Sequence, residues 1–395
     1  MTPIGNLTAS PWSKTGSRGP SQPLWLYLLL AAVVAIAASL IRFGWRQSLL
    51  FLIGTLFGLT LYHASFGFAS SYRRLVVQGD GQGVLAQVVM LALATVLFAP
   101  ILMGELGRGS LAPVALQGAI GALVFGVGMQ LGSGCACGTL YTIGGGSSMM
   151  LFTLLTFGLG SFLGTLTNGF WQGLPQTEPL ALVALWGWGG VALQLALLGL
   201  LGIGLWHWQR RQGHETLALK PLLHWRSLLY GPWSLVTGAV VLALLNTLTL
   251  LLAGRPWGVT WGFTLWTAKL ATLLGWNPAS SEFWSQEAIA EVLQASVFAD
   301  ITSVMNVGIV LGAAIAAAIA GRLTVRQPPS RLAVLAALIG GLMMGYGAWL
   351  AFGCNVGAYF SGIASTSLHG WLWIAFALLG TLLGVKLRPL FQLSN

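Results

Sequence analysis

The three cysteines of the 395-residue chain all lie in short motifs that are rich in glycine. Glycines beside a thiol allow close backbone approach and leave amide N–H groups exposed, and a helix that begins there carries partial positive charge. A thiol adds a weak hydrogen-bond donor and a polarizable sulfur atom. The motifs therefore predict a binding site for a small sulfur-containing anion. Its predicted residues are Cys135, Cys354, Gly134, Gly138, Gly353, Gly357 and Cys137.

The same cysteines allow other interpretations. Small residues commonly pack membrane helices together, and a buried cysteine can act as a small apolar side chain. Cys135 and Cys137 could instead form a redox-active pair, which would make the chain a membrane thiol oxidoreductase. A structural or partner-binding membrane subunit is a third alternative. A thiolate zinc site usually has four N or S ligands, and His369 alone could join the cysteines, so we predict neither a metal nor a cofactor.

Charge is scarce in the chain and nearly absent around these motifs. Hydrophobic residues make up 56% and charged residues 7% of the sequence, whereas an average soluble domain has roughly 25% charged residues. A soluble enzyme, a secreted disulfide scaffold and a disordered chain are excluded on this ground. From Ala112 to Glu178 there is no Lys, Arg or His, and the first carboxylate is Glu178 itself. Acid–base hydrolysis is therefore not expected there, and we predict that the protein is not an enzyme.

The apolar residues form runs long enough to cross a bilayer, for which a helix needs about 20 residues. Two shorter stretches, 65–73 and 255–269, each follow a full span and predict broken or re-entrant helices. Asp300 is predicted to cap the span that follows it, and Trp371 and Trp373 are predicted to lie in an interfacial belt. The predicted spans are 24–41, 48–66, 84–103, 113–133, 149–168, 179–206, 232–253, 297–320, 331–352 and 370–385.

An internal repeat relates the two cysteine motifs. When the sequence is aligned with itself so that Cys135 falls on Cys354, the glycines at positions 121, 126, 128, 134 and 138 fall on glycines at 340, 345, 347, 353 and 357. From this repeat alignment we predict two repeats of four spans each. Because one span separates them, the second repeat is expected to be inverted relative to the first. In transporters built from inverted repeats, the substrate site lies at the repeat interface near the middle of the membrane.

The net charge of +10 arises from Lys and Arg residues that lie between the apolar runs. This placement follows the positive-inside rule, and it lacks the basic stripe with interleaved aromatics typical of a nucleic-acid interface, so we predict no nucleic-acid partner. The rule places 207–226, 321–331 and the tail from Lys386 in the cytoplasm. The predicted organisation is a polar N-terminal tail (1–23), an additional span (24–44), repeat 1 (45–170), a linking span with a cytoplasmic loop (171–230), repeat 2 (231–388) and a C-terminal tail (389–395).

The two cysteine motifs with their flanks resemble the YeeE/YedE family of sulfur-transport membrane proteins. The resemblance extends over residues 45–390 and is carried by 132–141 and 353–365, with support from 65–73, 256–258 and 302–308. It implies an all-α polytopic membrane protein in which two inverted repeats and short re-entrant half-helices surround a central path. Cys135 and Cys354 match two functional cysteines of the family, whereas Gly67 stands where many members have a third.

The function that this resemblance implies is the uptake of thiosulfate, or a related small sulfur anion, into the cytoplasm across the inner membrane. Thiols and backbone amides in a cysteine-lined constriction would contact the substrate. The expected partners are this anion, the lipid bilayer and a small cytosolic sulfur-carrier protein.

Overall fold

The computed structural model describes residues 22–213 and 225–395. Most of the predicted N-terminal tail and the centre of the predicted cytoplasmic loop lie outside the described residues. Within them, ten helical stretches are long and apolar enough to cross a membrane, and the described strands form one two-stranded sheet. The predicted all-α polytopic membrane fold is therefore confirmed.

The first part of the chain ends at the long helix that precedes residue 213. Its two short strands pair in antiparallel fashion, with Pro113 opposite Pro179, and so join the segments before and after the central helices of this part. Its elements are α1 (Pro23–Leu40), α2 (Trp45–Ala64), α3 (Phe68–Gln78), α4 (Gln82–Met103), β1 (Pro113–Ala115), α5 (Leu116–Leu131), α6 (Ala136–Gly144), α7 (Met149–Leu166), α8 (Asn168–Gln172), β2 (Gln176–Pro179), α9 (Leu182–Trp186) and α10 (Trp188–Arg211).

The second part of the chain again alternates long and short helices. A π-helical turn, Asn355–Phe360, lies between two of them, and a 3₁₀ turn, Arg388–Phe391, follows the last. The elements are α11 (Trp225–Tyr230), α12 (Leu235–Ala253), α13 (Thr260–Leu273), α14 (Glu287–Gln294), α15 (Ile301–Ile319), α16 (Arg331–Leu350), α17 (Ser361–Ala364) and α18 (Leu368–Leu387).

The ten predicted spans coincide with α1, α2, α4, α5, α7, α10, α12, α15, α16 and α18. The largest error is at 179–206, because Gly187 adopts a φ of +53° and separates α9 from α10. The two short stretches become α3 and α13. The predicted cap is confirmed, since the Ser303 amide donates to Asp300 Oδ2 over 2.7 Å.

Helices α5 and α16 pack through glycines whose backbones nearly touch. A Cβ atom added at Gly121 would lie 2.7 Å from the Gly347 carbonyl oxygen, and one added at Gly347 would lie 2.6 Å from the Gly121 oxygen. Gly128 and Gly340 form a second reciprocal pair, with 2.7 Å in both directions. The pairing 121 with 347 and 128 with 340 makes the two helices antiparallel. An inverted duplication predicts this geometry, and the duplication itself stays a prediction.

Replacement of Gly340 by alanine is expected to destabilise the protein. Its Cβ would lie 2.2 Å from the Gly132 amide nitrogen, so the two backbones must separate, and overpacking of this kind costs about 1–3 kcal/mol. Gly199→Ala is the matched control, because no atom lies within 4 Å of a Cβ at that helical position. Thermal melts of detergent-purified protein by size-exclusion chromatography should show a lower Tm for Gly340→Ala alone. Equal Tm values for the two variants would contradict this packing.

Candidate functional site

Cys135 occupies the N-cap position of α6. The Gly138 amide donates to Cys135 Sγ over 3.4 Å, which is the role that a serine or threonine oxygen usually plays at a helix start. Cys137 Sγ also lies 3.4 Å from Cys135 Sγ. Ser133, with a φ of +58°, makes the tight turn that separates α5 from α6. The helix is therefore broken at the first cysteine motif, between α5 and α6.

Cys354 lies at the corresponding break after α16. Phe352, which matches Ser133 in the repeat alignment, has the same φ of +58°. Gly353 has a φ of +146°, and the Trp373 indole donates to its carbonyl over 3.1 Å. Cys354 then precedes the π-helical turn. The two motifs thus share their turn conformation but differ in the helix that follows.

The fold brings all three cysteines together. Cys135 and Cys354 are each 1% exposed and belong to the same buried cluster as Cys137. Cys354 lies within electrostatic range of both other thiols. All three are free cysteines. Two motifs from different halves of the chain therefore lie within electrostatic range of each other in one buried cluster.

The structure gives a reason for glycine at two of the four predicted glycine positions of the site. Gly353 needs its positive φ, and a Cβ at Gly138 would lie 3.3 Å from Cys135 Sγ, tighter than ordinary contact. At Gly134 the nearest atom to an added Cβ is 3.7 Å away, and at Gly357 nothing lies within 4 Å. Both Gly134 and Gly357 are half-buried. Backbone conformation therefore explains the glycine at 353, and limited space explains the glycine at 138. Neither cause applies at Gly134 or Gly357.

Several aromatic and amide side chains at this centre were not predicted from the sequence. The Asn355 amide donates to the Tyr72 hydroxyl over 3.5 Å, and Asn355 Oδ1 is buried without a partner in the described part of the chain. Tyr72 lies within electrostatic range of Cys135 and makes an edge contact with Tyr359, at 6.4 Å between ring centroids. The position of Asn355 inside the second motif was the one available signal. Nothing in the sequence indicated that Tyr72 would contact Asn355.

Trp373 was predicted to lie in an interfacial belt, and this is wrong. Its side chain is buried, its indole N–H donates to the carbonyl of Gly353, and its ring stacks on Tyr359 at 6.2 Å. The indole is thus engaged at the second cysteine motif instead of at the bilayer surface.

Gly67 also lies close to this centre. It is the residue before α3, and a Cβ atom there would lie 3.5 Å from the hydroxyl oxygen of Tyr141, in the helix that Cys135 caps. The same Cβ would lie 2.5 Å from Ser70 Oγ, which can rotate away. A side chain at position 67 would therefore point towards α6.

The centre as a whole offers neutral hydrogen-bond donors in a buried volume. The donors are thiols, the amide of Asn355, the hydroxyl of Tyr72 and the backbone N–H groups at the start of α6. Among the described residues, no three His, Cys, Asp or Glu side chains are grouped so that they could hold a metal ion. Such an arrangement can bind a small polar ligand without an acid–base pair.

Long apolar helices around a buried centre of thiols and neutral donors define a multi-pass membrane protein with a polar interior. Residues 63–383 match the sequence model of the sulphur transport family, so the chain belongs to this family. It is 31% identical to the thiosulfate transporter TsuA of Spirochaeta thermophila, over 83% of this chain and 95% of the relative. It is 26% identical to the thiosulfate transporter TsuA of Escherichia coli, over 83% and 90%. A probable transporter, YedE of Escherichia coli, is 33% identical over 41% of this chain and 40% of the relative.

The predicted family resemblance is thus confirmed. The family and the named relatives are transporters and not enzymes, so the protein is a multi-pass membrane transporter. These relatives give no support to the alternative of a thiol oxidoreductase.

Burial of the three thiols leads to a prediction about their reactivity. A bulky maleimide should label none of them in the folded, detergent-purified protein and all three after denaturation, because Cys135 and Cys354 are 1% exposed and Cys137 is equally buried. A cysteine introduced by Val325→Cys, at a position that is 78% exposed, provides the positive control. Mass spectrometry counts the labels. Rapid labelling of a native cysteine at the rate of position 325 would contradict the buried centre.

Proposed function

We propose that the protein takes up thiosulfate, or a closely related sulfur anion, into the cytoplasm across the inner membrane. The observation that carries this proposal is that Cys135 and Cys354 lie within electrostatic range of each other in one buried cluster of a sulphur-transport family member. The name of its relative TsuA supports thiosulfate as the substrate.

The chemistry of the centre fits such a substrate. An anion that leaves water needs hydrogen-bond donors to replace its hydration shell, and neutral donors do so without holding it as tightly as a fixed positive charge. The thiols of Cys135 and Cys354 would contact the substrate, Cys137 would lie beside them, and the amides near Gly134, Gly138, Gly353 and Gly357 would offset its charge. Conduction requires binding that is strong enough for entry and weak enough for release.

The centre would lie at the interface of two inverted repeats. The antiparallel contact of α5 with α16 supports this, because these helices match each other in the repeat alignment. Further contacts agree with it: α7 packs on α16 and its counterpart α18 packs on α5. The repeats would extend over residues 45–170 and 231–388.

The sidedness of the proposal follows the basic loops. Arg322, Arg326 and Arg331 lie in or beside the connection between α15 and α16, and Lys386 lies in the last turn of α18, which favours the cytoplasm for this end of the molecule. Imported sulfur would be delivered there, where a small cytosolic sulfur-carrier protein would receive it.

Replacement of either central thiol is expected to abolish uptake. Cys135→Ala and Cys354→Ala should each lower the initial rate of labelled thiosulfate uptake at least tenfold, in cells without other thiosulfate importers. Each variant loses one weak donor in a buried centre where no water can replace it. Immunoblots should show unchanged amounts of the protein in the membrane. Thr249→Ala is the matched control, since it truncates a side chain that is equally buried but lies outside both cysteine motifs.

Full uptake by Cys354→Ala would contradict the proposed mechanism. The oxidoreductase alternative makes a different prediction, namely a Cys135–Cys137 or Cys135–Cys354 disulfide in protein alkylated directly in the membrane. Mass spectrometry of that material would detect either bond.

A further inference from the structure

The thiol of Cys137 lies against that of Cys135, and the proposed transport gives it no contact of its own with the substrate. The two Sγ atoms are 3.4 Å apart. Both side chains are 1% exposed, and both cysteines are free. The repeat alignment puts Cys137 on Val356, so the second motif has a single thiol, that of Cys354. Only the first motif therefore contains two adjacent thiols.

The start of α6 holds these two thiols together. Cys135 is the N-cap residue with an extended backbone, and Cys137 lies in the first turn of the helix. The Gly138 amide donates to Cys135 Sγ over 3.4 Å, which draws this sulfur over the first turn. The Thr139 amide donates to the Cys135 carbonyl over 2.8 Å and so fixes the backbone of the cap. A disulfide between the two cysteines therefore requires side-chain rotation but no movement of the surrounding helices.

The same geometry gives the two thiols different reactivity. A thiolate is the reactive form of cysteine, and the beginning of a helix stabilises negative charge. The sulfur that receives the amide hydrogen bond is that of Cys135, so Cys135 is the thiol that reacts first with an oxidant. Cys137 then provides a second thiol at contact distance. A reactive cysteine beside a resolving one is the usual arrangement in proteins that respond to oxidation.

Burial determines which oxidant can reach the pair. Bulky reagents are excluded, because each thiol is 1% exposed in this structure. In the proposed function, however, an anion as large as thiosulfate has to reach Cys135 during transport. Hydrogen peroxide is smaller than this anion and carries no charge, so a path that admits the anion also admits the peroxide.

We propose that Cys135 and Cys137 form an oxidative modification site for hydrogen peroxide, and that their disulfide stops transport. This inference rests on the proposed function. The Cys135 sulfur attacks one peroxide oxygen, the O–O bond breaks, and a sulfenic acid and one water form. The Cys137 sulfur then attacks the Cys135 sulfur, the S–O bond breaks, and a second water leaves. Two electrons pass from the thiols to one peroxide, and both thiol protons end in water.

The disulfide removes the hydrogen-bond donors of the first motif. Neither sulfur then carries an S–H group, so Cys135 loses the donor with which it would contact the substrate. Cys354 keeps its thiol, but one of the two central contacts is gone. Oxidation should therefore affect uptake as strongly as Cys135→Ala does. A dithiol reductant restores both thiols by thiol–disulfide exchange, which makes the effect reversible.

Proteoliposomes that contain the full chain test this proposal. They are treated with hydrogen peroxide, freed of it with catalase and divided for two measurements. Mass spectrometry after denaturation and alkylation should show free thiols in untreated protein and a Cys135–Cys137 disulfide in treated protein. Cys354→Ala keeps the pair and should form the same disulfide, whereas Cys137→Ser should form none. The initial rate of labelled thiosulfate uptake by treated wild type should fall at least about tenfold and recover with dithiothreitol.

Three outcomes overturn the modification site. They are free thiols at both positions after treatment, a disulfide that involves Cys354 instead of Cys137, and a Cys135–Cys137 disulfide that leaves uptake unchanged. Failure of the proposed function is distinguishable from all three, because untreated wild-type proteoliposomes would then take up no thiosulfate. The disulfide is measured independently of transport, so it decides whether the pair reacts in that case too.

Discussion

The close approach of the α5 and α16 backbones is the constraint on which the rest of the molecule depends. Inside a bilayer, helices gain little from hydrophobic burial against each other, so van der Waals contact between small residues has to hold them. Gly121 with Gly347 and Gly128 with Gly340 provide that contact at two levels. Each helix ends within a few residues of its last paired glycine, at Leu131 and Leu350. Because the two helices are antiparallel, the turns that follow leave opposite ends of the packed pair, and each turn leads to a cysteine.

Burial then decides which chemistry the centre can use. Unpaired charge is expensive in a membrane interior, and the thiols, Asn355 and Tyr72 are all neutral donors. Backbone amides join them because α6 begins at Cys135. The same turn conformation at Ser133 and Phe352 orients the two cysteines in related ways. The centre is thus assembled by backbone geometry as much as by side-chain choice.

The sequence predicts more of the helices than of the site. Apolar runs locate the spans because a helix satisfies its own backbone polar groups in lipid. The largest displacement of a predicted boundary is at the start of the sixth span, where the glycine at position 187 separates two helices. The repeat alignment predicted that Cys135 and Cys354 belong together. The contacts of Tyr72 and Trp373 could not be predicted, because they join elements that are distant along the chain. Trp373 shows the difficulty well, since a tryptophan near a span end usually marks the interface.

The placement of neutral and charged groups bears on how an anion would move through the proposed centre. Hydrogen bonds from a charged donor are roughly twice as strong as those from neutral donors. If arginines lay between Cys135 and Cys354, the anion would be held at the centre and its release would be slow. Arg388 instead contacts Ser133 Oγ, two residues before Cys135, and the donors named at the cysteines themselves are neutral. In the proposed function, neutral donors at the cysteines would therefore let the anion be released as well as bound.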